Sequence, residues 1–375
     1  MLRRALLAAM GLAPVAAHAG PVLRVGPGRA VRSLAAAARQ ARDGMLVEVD
    51  AGDYVADVAT WPQQELTLRA VGGRVRLVAG GAHAQGKGLF VTTGRRQRIE
   101  GFDFIGAVVP DGNGAGVRLE AGSLTLVDCG FRDNENGLLT ANDESIELDI
   151  VDCDLGPIAL REGRTHNLYV GAIARLSVTG SYFHHGQLGH LLKSRAALNH
   201  ILYNRLTDEI GGRASYELEF PNGGVAVVMG NLIAQSSTTD NPHLVSFGVE
   251  GVTWQKQALY LVNNTLVDQL PSGGIWLRVT PRQAEVMLAN NLFVGAPPAI
   301  EAHWARRANF TAGWEEFVRA ARADYRLKPE SSLRGKAVDA GEGGGLKLTP
   351  THEYRHPHGT VALSGPARQP GAFQS

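Results

Sequence analysis

Lysine is scarce in this chain: six Lys stand against 31 Arg. A position that keeps an amine is therefore a place to look for titratable chemistry, and Lys193 sits in the dense stretch Gly189-His190-Leu191-Leu192-Lys193-Ser194-Arg195. A guanidinium beside an ammonium lowers its pKa, so Lys193 next to Arg195 can serve as a base near neutral pH, a role Arg does not fill. The preceding short segment, His166-Asn167-Leu168-Tyr169-Val170, supplies imidazole, amide and phenol; the following one, Ser215-Tyr216-Glu217-Leu218-Glu219-Phe220-Pro221-Asn222, supplies two carboxylates. Strict alternation of side chains along strands would put Val117/Leu119, Leu168/Val170, Leu192/Ser194 and Leu218/Phe220 inside. Asn167/Tyr169, Leu191/Lys193/Arg195 and Glu217/Glu219 would then share one outer wall. Such a wall has three readings. It is a catalytic site; or Glu217 and Glu219, about 6.8 Å apart at Cα, are the acid and base of an inverting glycoside hydrolase; or the charges form a cross-strand ladder on a structural or sugar-binding surface without turnover.

The elements that would position these groups follow from a repeat. The phrase Leu124-Thr125-Leu126-Val127-Asp128-Cys129-Gly130-Phe131 returns as Leu148-Asp149-Ile150-Val151-Asp152-Cys153-Asp154-Leu155. Weaker copies end on Phe104, Phe183, Leu206, Ile233, Leu266 and Phe293, and successive anchors are 27, 24, 28, 23, 27, 33 and 27 residues apart. A period in the twenties built from short strands predicts an all-β fold: a single right-handed parallel β-helix, each coil burying its apolar face on its neighbours. Two residues before the anchors runs a column of Phe102, Cys129, Cys153, Ser181, Asn204, Asn231, Asn264 and Asn291. Asn tolerates a left-handed turn and its amide can hydrogen-bond along a stack, so the column predicts an asparagine ladder. Cys129 and Cys153 lie one coil apart in it. At about 4.8 Å between strands they are either a disulfide or two small packing residues.

That ladder resembles the one carried by the pectin-lyase-like superfamily of right-handed β-helices, over roughly residues 22 to 340 by the repeat logic. The run Lys193-Ser194 followed by Asn199, Ile201 and Asn204 is similar to the Lys-Ser segment of the β-helical lyases that include alginate lyases and chondroitinase B. The resemblance implies Lys193 as a base, a calcium ion that neutralises a uronate carboxylate, and an arginine on the next coil that helps protonate the leaving oxygen. Here the next coil offers Glu217 and Glu219 where that Arg would stand. The reaction to expect is β-elimination of an acidic polysaccharide, which needs a cation on the carboxylate, a base at the C5 proton and a donor at the leaving oxygen. The expected roles are Lys193 as base, Arg195 as carboxylate clamp and Tyr169 or His190 as donor. His166, Asn167, Tyr216 and Asn222 are expected to bind substrate, and Glu217 and Glu219, with Asn167, to hold Ca²⁺ through oxygen. His200, His243 and His303 are expected to be surface or packing residues, and no organic cofactor is expected.

The ends have their own signals. Met1-Leu2-Arg3-Arg4, an apolar run from Ala5 to Ala17 and Ala17-His18-Ala19 predict a signal peptide over residues 1–19, hence export to the periplasm or beyond and no membrane insertion afterwards. Residues 20–342 would form the β-helix. Ser33 predicts the cap of a helix over residues 34–42 that covers the first coil, and residues 314–321 a short second helix. The tail, residues 343–375, has no periodicity and is expected to be irregular and loosely held. A formal net charge of +1 leaves no electrostatic footprint for nucleic acid. The sequence carries no signal for oligomeric state.

Overall fold

The computed structural model describes residues 20–159, 165–295 and 303–375; the expected signal peptide lies outside them. Strands stack in parallel, coil on coil. One wall is a nine-stranded sheet running in chain order from Ala59–Trp61 to Ile275–Val279. The other two rows join into one 21-stranded sheet, because in the first coils single long strands, Met45–Val55 and Glu65–Val78, run through the corner between them. This is the expected right-handed parallel β-helix. The anchor register holds throughout: Phe104, Phe131, Leu155, Phe183, Leu206, Ile233, Leu266 and Phe293 are successive Cα partners, and all are buried in the interior. Where the column is aromatic the rings pack on one another, as with Phe104 and Phe131 at 5.2 Å.

The predicted ladder forms along one corner. Each Asn side-chain oxygen accepts the backbone N–H of the ladder residue one coil earlier: Ser181 N–H donates to Asn204 at 2.8 Å, then Asn204 N–H to Asn231, Asn231 N–H to Asn264 and Asn264 N–H to Asn291 at 2.8–3.0 Å. Each amide nitrogen donates in turn to a strand carbonyl, Asn231 to Ile201 O at 2.8 Å for example. Asn309 extends the ladder by one rung. The left-handed residue is the one before each rung, at Asp128, Asp152, Tyr203, Asn263 and Asn290, with Gly101, Gly180 and Gly230 in the same column. The ladder Asn thus serves as hydrogen-bonding partner and its predecessor makes the turn. Cys129 and Cys153 are free thiols inside this column, and Cys129 N–H points at Cys153 Sγ, 3.4 Å away. They act as rungs.

Ser33 caps a helix spanning Leu34–Gln40, accepting from Ala36 N–H at 3.1 Å, and Leu34 and Ala37 bury against the first coil. The second predicted helix is replaced by two 3-10 turns, Trp314–Glu316 and Ala320–Arg322, flanking a strand Phe317–Arg319. That strand pairs antiparallel with Asp324–Leu327 and lays Phe317 on Tyr325 at 5.4 Å. A helix of eight residues gains little by itself, and burial of Phe317 in the pair wins. The tail is tightly placed rather than loose: it runs along the ladder corner, bonding Gly180 O through Gly359 N–H, Tyr203 OH through Thr351 N–H and Asn290 O through Gly371 N–H. Leu346 and Leu348 close an apolar patch with Val227, Met229 and Tyr260. Among the described residues no helix is long and apolar enough to cross a membrane.

Candidate active site on the nine-stranded wall

The wall strands do not alternate. In each, two consecutive residues turn inward: Leu191 and Leu192 both join the core, and Asn167 and Glu217 are buried beside Leu168 and Leu218. The extra inward column runs through Leu89, Gly116, Gly137, Asn167, Leu191, Glu217 and Leu244; at Gly116 a Cβ would lie 2.8 Å from Phe104 and 2.9 Å from Phe131. The outer face is consequently built from two other columns. One is His166, His190, Tyr216 and His243; the second is Tyr169, Lys193, Glu219 and Ser246, in register across strands His166–Val170, His190–Ser194, Tyr216–Phe220 and His243–Phe247.

Lys193 and Arg195 form the hub. Lys193, 8% exposed, places its ammonium 3.1 Å from Glu219 Oε2 and 2.6 Å from Glu250 Oε1. The Arg195 guanidinium donates to the other Glu250 oxygen at 2.6 Å, to Tyr169 OH at 3.0 Å and to Asn222 Oδ1. Burial works against the Glu250 charge, but hydrogen bonds from Lys193 and Arg195 outweigh it and hold the carboxyl below its ordinary range. Because Arg195 donates to the Tyr169 oxygen, the phenolic proton is oriented to be given elsewhere. Asn222 is held from its far side by donating to Gly251 O at 3.0 Å, and Trp254 donates its indole N–H to Arg195 O at 2.9 Å.

Behind the hub lies an aromatic column. The rings of His190 and Tyr216 stack at 5.0 Å, with His166 and His243 on either side at 4.9 and 5.8 Å from their neighbours. His166 Nδ1 accepts the His190 backbone N–H at 3.0 Å and lies 3.1 Å from His190 Nδ1. The other His190 nitrogen is 2.9 Å from Glu219 Oε2. Burial opposes the Glu219 charge, yet His190 and then Lys193 more than offset this, and its carboxyl sits below the usual range. His190 is thus a buried support for Glu219 and does not reach the outer surface as a proton donor.

Two expected ligands are misplaced. Glu217 is 0% exposed with neither oxygen hydrogen-bonded by another described residue. Burial, then the nearby Asp208 and Asp268 charges, push its carboxyl well above the ordinary value. Asn167 is also internal, donating to Leu155 O at 2.6 Å and His184 O at 2.8 Å. Glu217 faces the core and Glu219 the surface, so the pair neither converges on one Ca²⁺ nor flanks one glycosidic bond. Among the described residues no group of three or more His, Cys, Asp or Glu is arranged to hold a metal. Of the expected site, Lys193, Arg195, Tyr169 and Asn222 come together, with His190, His166 and Tyr216 as their backing. Sequence reasoning missed Glu250 and Trp254, which follow the wall strand His243–Phe247. The signal was present, since the coil from Ile233 to Leu266 is the longest interval, 33 residues, and its extra length is the loop that carries both. A separate cleft of about 610 Å³ lies between Gln235 and Trp314. Of its charged groups, Arg205 and Glu209 are paired with each other and Arg322 lies beside them in the lining, and it holds none of the predicted residues.

No protein-family model and no curated protein matches the chain. Among solved structures it is similar to pectate lyase Pel9A, with a TM-score of 0.66 at 13% identity, covering 95% of this chain and 96% of that one. Escherichia coli ybhc aligns at a TM-score of only 0.33 with 9% identity, over 81% and 88% of the two chains. The first likeness establishes the pectin-lyase-like β-helix fold.

Proposed function

We propose that this protein is an exported polysaccharide lyase that cleaves a uronate polymer by β-elimination at the Lys193–Arg195 wall. The observation that carries the reading is the convergence of an amine, a guanidinium and a phenol on one outer face, with Glu250 bridging the two cations. A polymer built of sugar acids presents carboxylates at each residue, and the Arg195 guanidinium, held in place by Tyr169 and Asn222, is the cation for one of them. With that carboxylate neutralised the C5 proton becomes more acidic. Lys193, once relieved of Glu250, keeps Glu219 as its carboxylate partner and acts as the neutral amine. It then takes the C5 proton, the electron pair forms the C4–C5 double bond, the C4–O bond breaks and Tyr169 gives its proton to the leaving oxygen. Glu219, fixed by His190, keeps the amine aimed outward. The solved pectate lyase with this fold supports a polysaccharide substrate, and the basic-then-apolar start of the chain supports export.

A second reading, binding without turnover, is favoured by the ion-paired state of Lys193, which lies between two carboxylates. Product analysis separates the two. Pectate, alginate, glucuronan and glycosaminoglycans are incubated with the protein and scored for ultraviolet-absorbing unsaturated ends and for new reducing ends. The lyase reading requires both on at least one polymer. Reducing ends without unsaturation would mean hydrolysis, and neither with retained binding would mean a binding protein.

A further inference from the structure

Glu250 stands apart from the other charges of the wall. It comes from the loop after the wall strand, outside the ladder register, and its carboxylate is divided between the two cations: one oxygen on Lys193 Nζ and the other on Arg195 Nη2, both at 2.6 Å. Its side chain is still 42% exposed, against 9% for Lys193 and 19% for Arg195. A carboxylate lying over two half-sunken cations, with its own stem in solvent, has the geometry of a ligand.

The loop beneath it is held by its backbone. Glu250 N–H bonds Pro221 O at 3.0 Å, Gly248 N–H bonds Phe220 O at 2.8 Å, and Trp254 and Asn222 tie the loop to the hub from both sides. Removing the carboxylate from the cations therefore needs only rotation of the Glu250 side chain. Neither cation is stranded when it leaves: Lys193 retains Glu219 at 3.1 Å, and Arg195 retains Tyr169 and Asn222. These are the conditions under which an incoming carboxylate can exchange with the internal one at little cost.

We infer that Glu250 is an internal stand-in for the substrate carboxylate: it occupies the seat a sugar acid takes, and a ligand enters by displacing it. This rests on the uronate reading for the class of ligand and adds a selection rule. A neutral sugar has nothing with which to replace the carboxylate, whereas a uronate restores the ion pair on Arg195 and leaves Lys193 with Glu219. Glu250 lowers affinity for a ligand whose carboxylate takes that seat by the fraction of time it covers the hub, and leaves unaffected a neutral ligand that does not enter it.

The test is a binding measurement that does not depend on turnover. Size-defined oligomers of galacturonate, mannuronate, guluronate and hyaluronan, each with its methyl-esterified neutral form, are titrated calorimetrically into the full chain, Glu250→Gln and Glu250→Ala. A seat covered nine times in ten predicts about tenfold tighter binding of at least one acidic oligomer to both variants, with no comparable gain for its ester. Equal or weaker binding of all the acids, equal gains for the esters, or a gain confined to the Gln variant would each overturn the inference. Loss of the lyase reading alone looks different: no unsaturated product from any polymer, with the affinity gain intact.

Discussion

At the scale of single residues, the wall divides its carboxylates by environment. Glu219 and Glu250 are held ionised by the cations they face, while Glu217, one residue from alternation, is sealed among Leu191, Leu218 and Leu244 with like charges nearby. A carboxyl whose folded-state pKa is raised keeps its proton in the fold after the unfolded chain has lost it, so stability falls as pH rises from the ordinary carboxylate range toward the raised value. Asp208, lifted to about 7 chiefly by burial, acts in the same direction up to neutrality. Glu217→Leu, matching its column neighbours, is expected to raise stability at neutral pH by about 1–3 kcal/mol. It should also make the decline between acidic and mildly alkaline buffers shallower, as read by urea midpoints. A destabilised Glu217→Leu at neutral pH would show that Glu217 has a charged partner in the fold. On the outer face, a lysine base predicts activity that increases with pH until the amine is deprotonated. Lys193→Arg should be as inactive as Lys193→Ala, because a guanidinium keeps its proton.

At the scale of elements, the ladder and anchors were legible because both are column properties: a repeat prints the same residue type at the same place, and Asn204, Asn231, Asn264 and Asn291 did so four times. The wall was legible only in part. Lys193 and Arg195 were correctly placed outside because they lie after the irregularity in His190–Ser194, where alternation resumes, whereas Asn167 and Glu217 lie within it. Nothing local marks that irregularity in the sequence. Glu250 was hidden for another reason, being a loop residue whose partners are 55 and 57 positions away. The ladder carries its own prediction. Asn231→Ala removes the acceptor for Asn204 N–H and the donor to Ile201 O, and should cost about 2–4 kcal/mol of unfolding free energy. In the same column, Cys129 and Cys153 should both resist a thiol reagent in the native protein and both react under denaturant without reductant; no reactive thiol would mean a disulfide.

For the whole molecule, the coils stack as a one-dimensional array in which each is stabilised by its neighbours, and the tail is the exception. It bridges from Gly180 to Asn290 along the ladder corner, covering Val227, Met229 and Tyr260 with Leu346 and Leu348. Truncation after residue 343 should cost roughly 1.5–3 kcal/mol for each large side chain it uncovers. Hydrogen exchange should then rise in the coils between Gly180 and Asn290, and stay unchanged under the capping helix. The same array presents the wall as one continuous face along which an extended polymer can lie, with Lys193 and Arg195 at its middle. The role of Lys193 is read most directly from one rate: formation of unsaturated product from the polymer the protein cleaves, compared between wild type and Lys193→Ala at matched binding saturation. A lysine base predicts a loss of about 10²- to 10⁴-fold with oligomer binding retained. Full activity in Lys193→Ala would contradict it.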